Sequence, residues 1–418
     1  MLDPQPVDLS AVEPTPDSVF LSLEGAVRAS GVDAGIALHY GSPLREGRDV
    51  DEARAVVDLS SWGVARVSGP DRLTWLNSLA SQKLDTLAPS EPTPNDSNQC
   101  AESVQNAAVR ALFLNLQGRI DFDVRVHDDG EATWLLTEPG YVGSLVEWLG
   151  KMRFMSQVEV ADVTSEWAVV GARCVLRERL ADAGGQQTGV VGQLEDAWGP
   201  VFRDPWPDVC VGGWPYGPVD GEHPGSDGEW FFSLVRRSRM PEVLSAVQDA
   251  GLRIGGLMAY EQVRIAAWNP SIRTEVDYKT IPHELDLLRV ATHLNKGCYK
   301  GQETVARVHN LGHPPRRIVF LDLDGSEHTL PAAGAEVKAG ERTVGTLTSA
   351  VLHHDAGPIA LAVIRRNVGV DTELTVVDGE QTYQALQTVI LPPNAGNVVG
   401  RPKDVGRLGP GMGKDLRG

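Results

Sequence analysis

The chain has 418 residues, 42% of them apolar and 22% charged, proportions of a soluble globular protein long enough for two or three separately cored domains. Its net charge of −18 argues against broad binding to nucleic-acid phosphates, which draw on clustered Lys and Arg. The four cysteines (Cys100, Cys174, Cys210 and Cys298) stand far apart without C-x-x-C spacing, against a disulfide framework or structural zinc, and no apolar run reaches membrane-spanning length.

The start of the chain is acidic and proline-bearing, unlike a signal peptide, so a reduced, cytoplasmic protein is expected. Residues 1–35 read as a disordered lead. Short β-prone runs follow at Ala53–Val57 and Gly63–Val67. A Gly69-Pro70-Asp71 turn then opens a helix over Arg72–Leu79, whose apolar residues recur at helical spacing. Residues 88–107 form a polar, proline-rich loop that contains Cys100. Val109–Leu116 and Ile120–Val126 alternate about Gly118, a hairpin signature. A strand at Trp134–Leu136, a helix over Val142–Phe154 and strands at Val158–Val163 and Trp167–Cys174 continue an α+β pattern with helices on one face. Beyond a Gly- and Pro-rich stretch at 183–230, Met240–Ala250 and Leu257–Ala267 read as helices. After Pro314-Pro315 come only short strands, at Ile318–Leu323, Ala335–Lys338, Arg342–Ala350, Ile359–Arg365 and Leu374–Val377. They predict a small β-barrel over 314–392. Residues 393–418 read as a disordered tail, its last 18 residues carrying five basic and two acidic side chains. The tail's Gly409-Pro410-Gly411-Met412-Gly413-Lys414 lacks the glycine spacing and the following Ser or Thr of a phosphate loop.

Chemistry concentrates in Lys296-Gly297-Cys298-Tyr299-Lys300-Gly301-Gln302-Glu303, after the apolar segment Leu285–Leu294. Eight residues carry a thiol, two amines, a phenol, an amide and a carboxylate, with two glycines for tight turning. Cys298 lies between two lysines, and a helix starting at Gly301 would further favour its thiolate. One cysteine cannot hold a zinc ion or an iron–sulfur cluster without ligands from a partner. Lys296 and Lys300 read either as solvated amines or as a clamp for an anion. Gln302 and Glu303 suit a first helical turn or the polar edge of a flat heterocycle, and Tyr299 suits a core or the face of such a ring. His309, His313, His353 and His354 lie in loops without metal or triad spacing and are assigned no catalytic role.

The octapeptide resembles the signature of the YgfZ-type folate-binding proteins, relatives of the glycine-cleavage T-protein (aminomethyltransferase) that act in iron–sulfur protein maintenance. Val67–Leu76 resembles the family's first-domain helix entry, and Leu114–Ile120 its glycine–arginine hairpin. Val263–Ala267 resembles the helix before the signature, while Val344–Ser349 with Ile359–Ala362 resembles the shared C-terminal barrel. The likeness covers roughly residues 36–390. It implies an α+β protein of three domains arranged as a ring, with two interleaved α+β domains over 36–313 and the barrel beyond. A tetrahydrofolate, or a one-carbon derivative of it, would occupy the central hole, lined by Gly297, Tyr299 and Gly301. Lys296 and Arg264 would meet the folate's anionic groups, Gln302 and Glu303 would hydrogen-bond the pterin, and Cys298 would be the reactive group. The implied role is accessory to iron–sulfur assembly or repair, acting on iron–sulfur client proteins with a downstream effect on tRNA modification. No direct nucleic-acid or membrane partner and no resident metal are expected.

Two departures weigh against glycine cleavage itself. Thr137 and Ser144 stand where an ungapped placement of T-proteins puts an Asn and a catalytic Asp, and Ala266 stands where they carry Glu. Trp268 replaces a glycine common in the resembled family. A folate-dependent aminomethyltransferase and a protein-binding scaffold remain the competing readings.

Overall fold

A computed structural model describes residues 7–88, 108–183, 194–219, 221–325 and 329–399. The expected loop at 88–107, beyond its first residue, and the tail from 400 onward lie outside the described residues.

A two-stranded ribbon, β1 (Val27–Arg28) and β2 (Ala37–His39), leads into α1 (Pro43–Asp51). The chain continues through β3 (Ala55–Asp58), β4 (Gly63–Ser68), α2 (Arg72–Leu79), β5 (Val109–Leu114), β6 (Ile120–Asp128) and β7 (Ala132–Thr137). Next come α3 (Val142–Lys151), β8 (Glu159–Asp162), β9 (Trp167–Ala172), α4 (Leu176–Ala183), β10 (Trp198–Arg203) and β11 (Phe231–Arg236). Then follow α5 (Met240–Asp249), β12 (Arg253–Gly255), α6 (Leu257–Ala266) and α7 (Gln302–Leu311). The last strands are β13 (Arg316–Leu323), β14 (Glu336–Ala339), β15 (Arg342–His353), β16 (Gly357–Arg365), β17 (Leu374–Asp378) and β18 (Gln381–Val389).

These strands make two five-stranded sheets, ordered β5-β6-β7-β4-β8 and β10-β11-β9-β3-β12, and a closed barrel ordered β13-β16-β15-β14-β17-β18. Consecutive β3 and β4 belong to different sheets, so the chain passes between them and interleaves the two halves. Alternation along β6 explains the layering. Phe122, Val124 and Val126 pack with Trp75, Leu76, Trp148 and Leu149 of α2 and α3, while Asp123 and Arg125 turn to the other face. That other face is covered by the second sheet, whose Phe202, Phe232 and Leu234 join Trp62, Val64 and Leu136 in one core. The expected α+β class and C-terminal barrel are both present; the barrel has a sixth strand, β18, that the sequence reading did not single out.

Two segments differ from expectation. Residues 8–35 are not a loose lead: Phe20 is 0% exposed among Val56, Val170, Val243 and Val247, and Ser18 N–H donates to Gly35 O at 2.8 Å. Proline and acidic composition masked a set of apolar anchors, Phe20 with Val19, Leu23, Ala29 and Val32. Likewise the tail's first residues run along α7, where Val398 N–H donates to His309 O at 2.9 Å and Ala395 O accepts from His313 Nδ1 at 2.8 Å. The apolar run at 285–294, to which the sequence assigned no element, is irregular beyond its first turn. After a 3₁₀ turn at Pro282–Leu285 the chain reverses at Asp286 (φ +58), whose carboxylate takes the N–H groups of Tyr216 and Gly217. Leu285, Leu287, Leu288, Val290 and Ala291 are all buried in a core that also takes Ile120, Ile265 and Ile359 from the other units.

The octapeptide is seated by a glycine-to-glycine contact. Gly301, the residue before α7, has φ +84, and a Cβ there would lie 2.6 Å from Asn115 O and 2.9 Å from Gly118 Cα in the β5–β6 turn. Only glycine allows both the left-handed backbone and this approach.

Two stability outcomes follow from this packing. Phe20→Ala should destabilise the protein by about 3–5 kcal/mol, read as a lowered thermal midpoint, whereas a disordered lead would leave it unchanged. Gly301→Ala should cost about 2 kcal/mol or more. Gly297→Ala, where a Cβ meets open space, should unfold within about 0.5 kcal/mol of the parent in urea.

Candidate functional site

The octapeptide and Arg264 separate into two places. Gly297 and Cys298 are exposed on the loop before α7, and Glu303 is exposed in its first turn. Tyr299 points inward: its ring joins the central core, and burial raises its phenol well above the ordinary range while leaving the hydroxyl without a hydrogen-bond partner. Lys300 lies over Trp148, 5.9 Å from the ring centroid. Gln302 closes the loop locally, donating to Lys296 O at 3.4 Å.

The anion-clamp reading of Lys296 is corrected by its contacts. Its Nζ donates to the carbonyls of Asn77, Ala80 and Gln82 at 2.6, 2.8 and 2.7 Å, so all three protons are committed. The lysine ties the loop to the end of α2, over the face of Tyr299. Burial pushes the ammonium down to about 8, and three carbonyl dipoles hold the proton in place against it.

Arg264 is likewise committed. It donates to both carboxylate oxygens of Glu261, to Glu275 Oε2 at 3.0 Å, to Asn269 O at 2.9 Å and to Ser349 Oγ at 2.9 Å. Burial opposes its charge, and Glu261 and Glu275 more than restore it. Since Ser349 belongs to β15, this guanidinium joins α6 to the barrel rather than waiting for a ligand anion.

Arg264 does, however, form part of the wall of a cleft of about 210 Å³, and no residue of 296–303 lines it. Trp206, Trp230 and Tyr260 supply aromatic wall, Asp204 and Asn269 polar wall, and Asp51, Arg173, Asp227 and His353 also border it. Each wall residue is held from behind. Trp206 Nε1 donates to Ala267 O at 2.8 Å, and the guanidiniums of Arg289 and Arg110 lie 5.5 and 5.9 Å from its ring centroid. Trp230 packs on Phe232 and Tyr260, with its indole N–H unpartnered. Asp204 accepts from Trp206 N at 3.2 Å and from Asn269 Nδ2 at 3.2 Å, while Asn269 Oδ1 accepts from Arg110.

Behind Asp204 sits Arg125, 1% exposed, with Asp204, Glu138 and Asp123 carboxylates at 3.7, 3.9 and 4.0 Å and Trp62 against its face at 5.2 Å. Burial raises the Glu138 carboxyl, countered by Arg125 and by the Ser271 hydroxyl that donates to it. The interior therefore holds several acids, although Thr137 Oγ1 is buried without a partner and Ser144 lies on α3. Among the described residues no three His, Cys, Asp or Glu side chains cluster as metal ligands.

Sequence reasoning missed most of this cleft. Asp204, Trp206 and Trp230 lie in the Gly- and Pro-rich stretch, where no periodicity marks them. His353 was set aside for want of a helical partner, yet it borders the cleft from the end of β15. Trp268 is explained by its backbone: φ is +54, the left-handed region a glycine enters freely, and the ring packs on His223 and Phe320.

A family model described as the CAF17 C-terminal β-barrel domain matches residues 316–393. An aminomethyltransferase of Corynebacterium jeikeium is 26% identical over 347 residues, covering 79% of this chain and 83% of the relative. The tRNA-modifying protein YgfZ of Serratia proteamaculans is 24% identical over 336 residues, covering 79% and 91%. The fold matches the crystal structure of the glycine cleavage system aminomethyltransferase T from Bartonella henselae with a TM-score of 0.65 at 17% identity, covering 88% of this chain and 94% of that one. The chain is thus similar over most of its length to YgfZ proteins and to aminomethyltransferases, shares the fold of an aminomethyltransferase T-protein, and carries a barrel matching the CAF17 C-terminal domain at 316–393.

Proposed function

We propose that this protein binds a reduced folate in the aromatic cleft and acts in the cytoplasm as an accessory to the assembly or repair of iron–sulfur enzymes, with tRNA modification affected downstream. The observation that carries the folate reading is the cleft wall itself. Trp206, Trp230 and Tyr260 offer flat apolar surface, while Asp204 and Asn269 offer an acceptor and an amide edge, the combination that suits a fused heterocycle bearing N–H donors. Relatives named as aminomethyltransferases support the same ligand class. The accessory role draws on relatives named tRNA-modifying proteins and on Cys298, whose exposed thiol is accessible to a partner.

In this reading the cleft and the octapeptide have separate duties. The heterocycle would lie in the cleft with Asp204 orienting it, and Arg125 stands 3.7 Å behind that carboxylate. The octapeptide presents Cys298 outward on a loop clamped by Lys296.

Calorimetric titration with 5-formyltetrahydrofolate tests the first duty. Micromolar binding is expected, weakened at least about tenfold in Asp204→Asn and unchanged in Cys298→Ala. Cys298→Ala should fail to restore iron–sulfur enzyme activity in a deletion strain; full restoration would remove the thiol from the proposal. Release of formaldehyde or a methylene-folate from an amine substrate by the purified protein would replace the accessory role with aminomethyl transfer.

A further inference from the structure

One border of the cleft already holds a carboxylate in a place a ligand's own could take. Arg173, just past the end of β9, lines the cleft, and its Nη2 donates to Asp51 Oδ1 at the end of α1. The guanidinium is fixed: its side chain is 14% exposed, and it lies so close to the Gly228 backbone that a Cβ there would overlap Nη1. Asp51 is not fixed in the same way. Its side chain is 40% exposed, and its other neighbour, His354 Nε2, is 3.9 Å away.

The bond between them is incomplete. A guanidinium pairs best with a carboxylate through two parallel N–H groups, yet Asp51 takes only Nη2 and the Nε proton of Arg173 is buried without a partner. His353, on the same border, accepts from the N–H groups of Asp355 and Ala356 through Nδ1 at 3.2 and 3.1 Å. Its remaining ring nitrogen, Nε2, therefore carries the proton and is a second donor at the border. Asp227 opposes an incoming anion, but it is exposed, where water and salt screen its charge.

We infer that Arg173, assisted by His353, determines specificity for a terminal carboxylate on the ligand's tail, and that Asp51 occupies that place in the free protein. The inference rests on the folate reading above, since it supposes that the heterocycle enters the cleft and leaves its glutamate at this border. Asp51 acts as a competitor: it keeps the buried cation paired while the cleft is empty, and its exposure lets it withdraw.

The test compares 5-formyltetrahydrofolate with 5-formyltetrahydropteroate, which lacks the glutamate, by calorimetry on the full chain. The parent protein should bind the glutamate-bearing compound about tenfold more tightly. Arg173→Gln should abolish that preference while leaving the affinity for the pteroate compound unchanged, which also reports that the variant is folded. Asp51→Asn should widen the preference by removing the competing carboxylate. A preference that survives Arg173→Gln overturns the assignment, and one unaltered in Asp51→Asn overturns the placeholder role. Equal binding of both compounds by the parent also overturns the inference but leaves the folate reading standing. Binding of neither compound removes both.

Discussion

The structure depends on arginines that cannot reach water. Arg110, Arg125, Arg264 and Arg289 are all buried; Arg110, Arg264 and Arg289 are held by acids and carbonyls from more than one segment, while Arg125 sits among the carboxylates of Asp123, Glu138 and Asp204 at 3.7–4.0 Å. Arg110 grips Asp123 in its own sheet and reaches Asn269 and Pro270 O in the connection to the barrel. Arg264 spans α6, Glu275 and the barrel's Ser349, and Arg289 grips Asp286 while donating to Pro207 O and Pro218 O. Removing water from such charges is costly, and the pairing offsets the cost only when geometry is met on every side. Apolar contacts alone would tolerate sliding between the segments these forks join; the forks do not, because any slip would leave a buried charge unpaired. The seam thus fixes register between units that the chain visits in interleaved order.

The cleft is a by-product of that seam. Trp206 stands upright because two guanidiniums lie near its ring, Asp204 because Asn269 and Trp206 N–H hold it, and Asn269 because Arg110 binds its amide oxygen. Such a site rests on groups whose positions are already determined by folding, which is what preorganisation requires. The exposed side of the same cleft is built differently. There Asp51 is shared loosely between Arg173 and His354, and a histidine ends a barrel strand, so charges can be exchanged without disturbing the core.

Much of the fold was legible in local pattern. Helices α2, α3, α5 and α6 and the first five barrel strands follow from apolar spacing, turn glycines and the Pro314-Pro315 break. What was not legible had a common cause: tertiary partners that invert the meaning of a pattern. Alternating charges along β6 ordinarily mean a wet face, but a second sheet covers them here, so Asp123 and Arg125 become the centre of the seam. The apolar run at 285–294, which local pattern assigned to no element, is buried in the central core as an irregular segment. Residues before 36 were read from their prolines and acids, while among the described ones Phe20, Ala29 and Val32 are buried. For the site, the octapeptide stood out because reactive residues adjoin in sequence, whereas the cleft assembles α1, β9, the stretch at 204–230, α6 and β15 from across the chain. No window of sequence displays that.

The octapeptide shows how a conspicuous motif can carry geometry more than ligand chemistry. Lys296 closes three carbonyls that the end of α2 would otherwise leave open, Gly301 admits the hairpin turn, and Tyr299 fills the core. Two of its most chemical-looking residues, Lys296 and Tyr299, are therefore spent with a glycine on seating the loop between the first sheet's helix and hairpin. What they present after that work is Cys298, exposed, on a backbone pinned from both sides. A flexible loop could offer a thiol equally well to any reagent; a pinned one offers it in a fixed relation to the surface around it, which matters only when the other reactant is large and must dock in register. The separation of the cleft from a rigidly held outward thiol follows from where these side chains spend their hydrogen bonds, and under the proposed function ligand and partner would meet the protein at separate places.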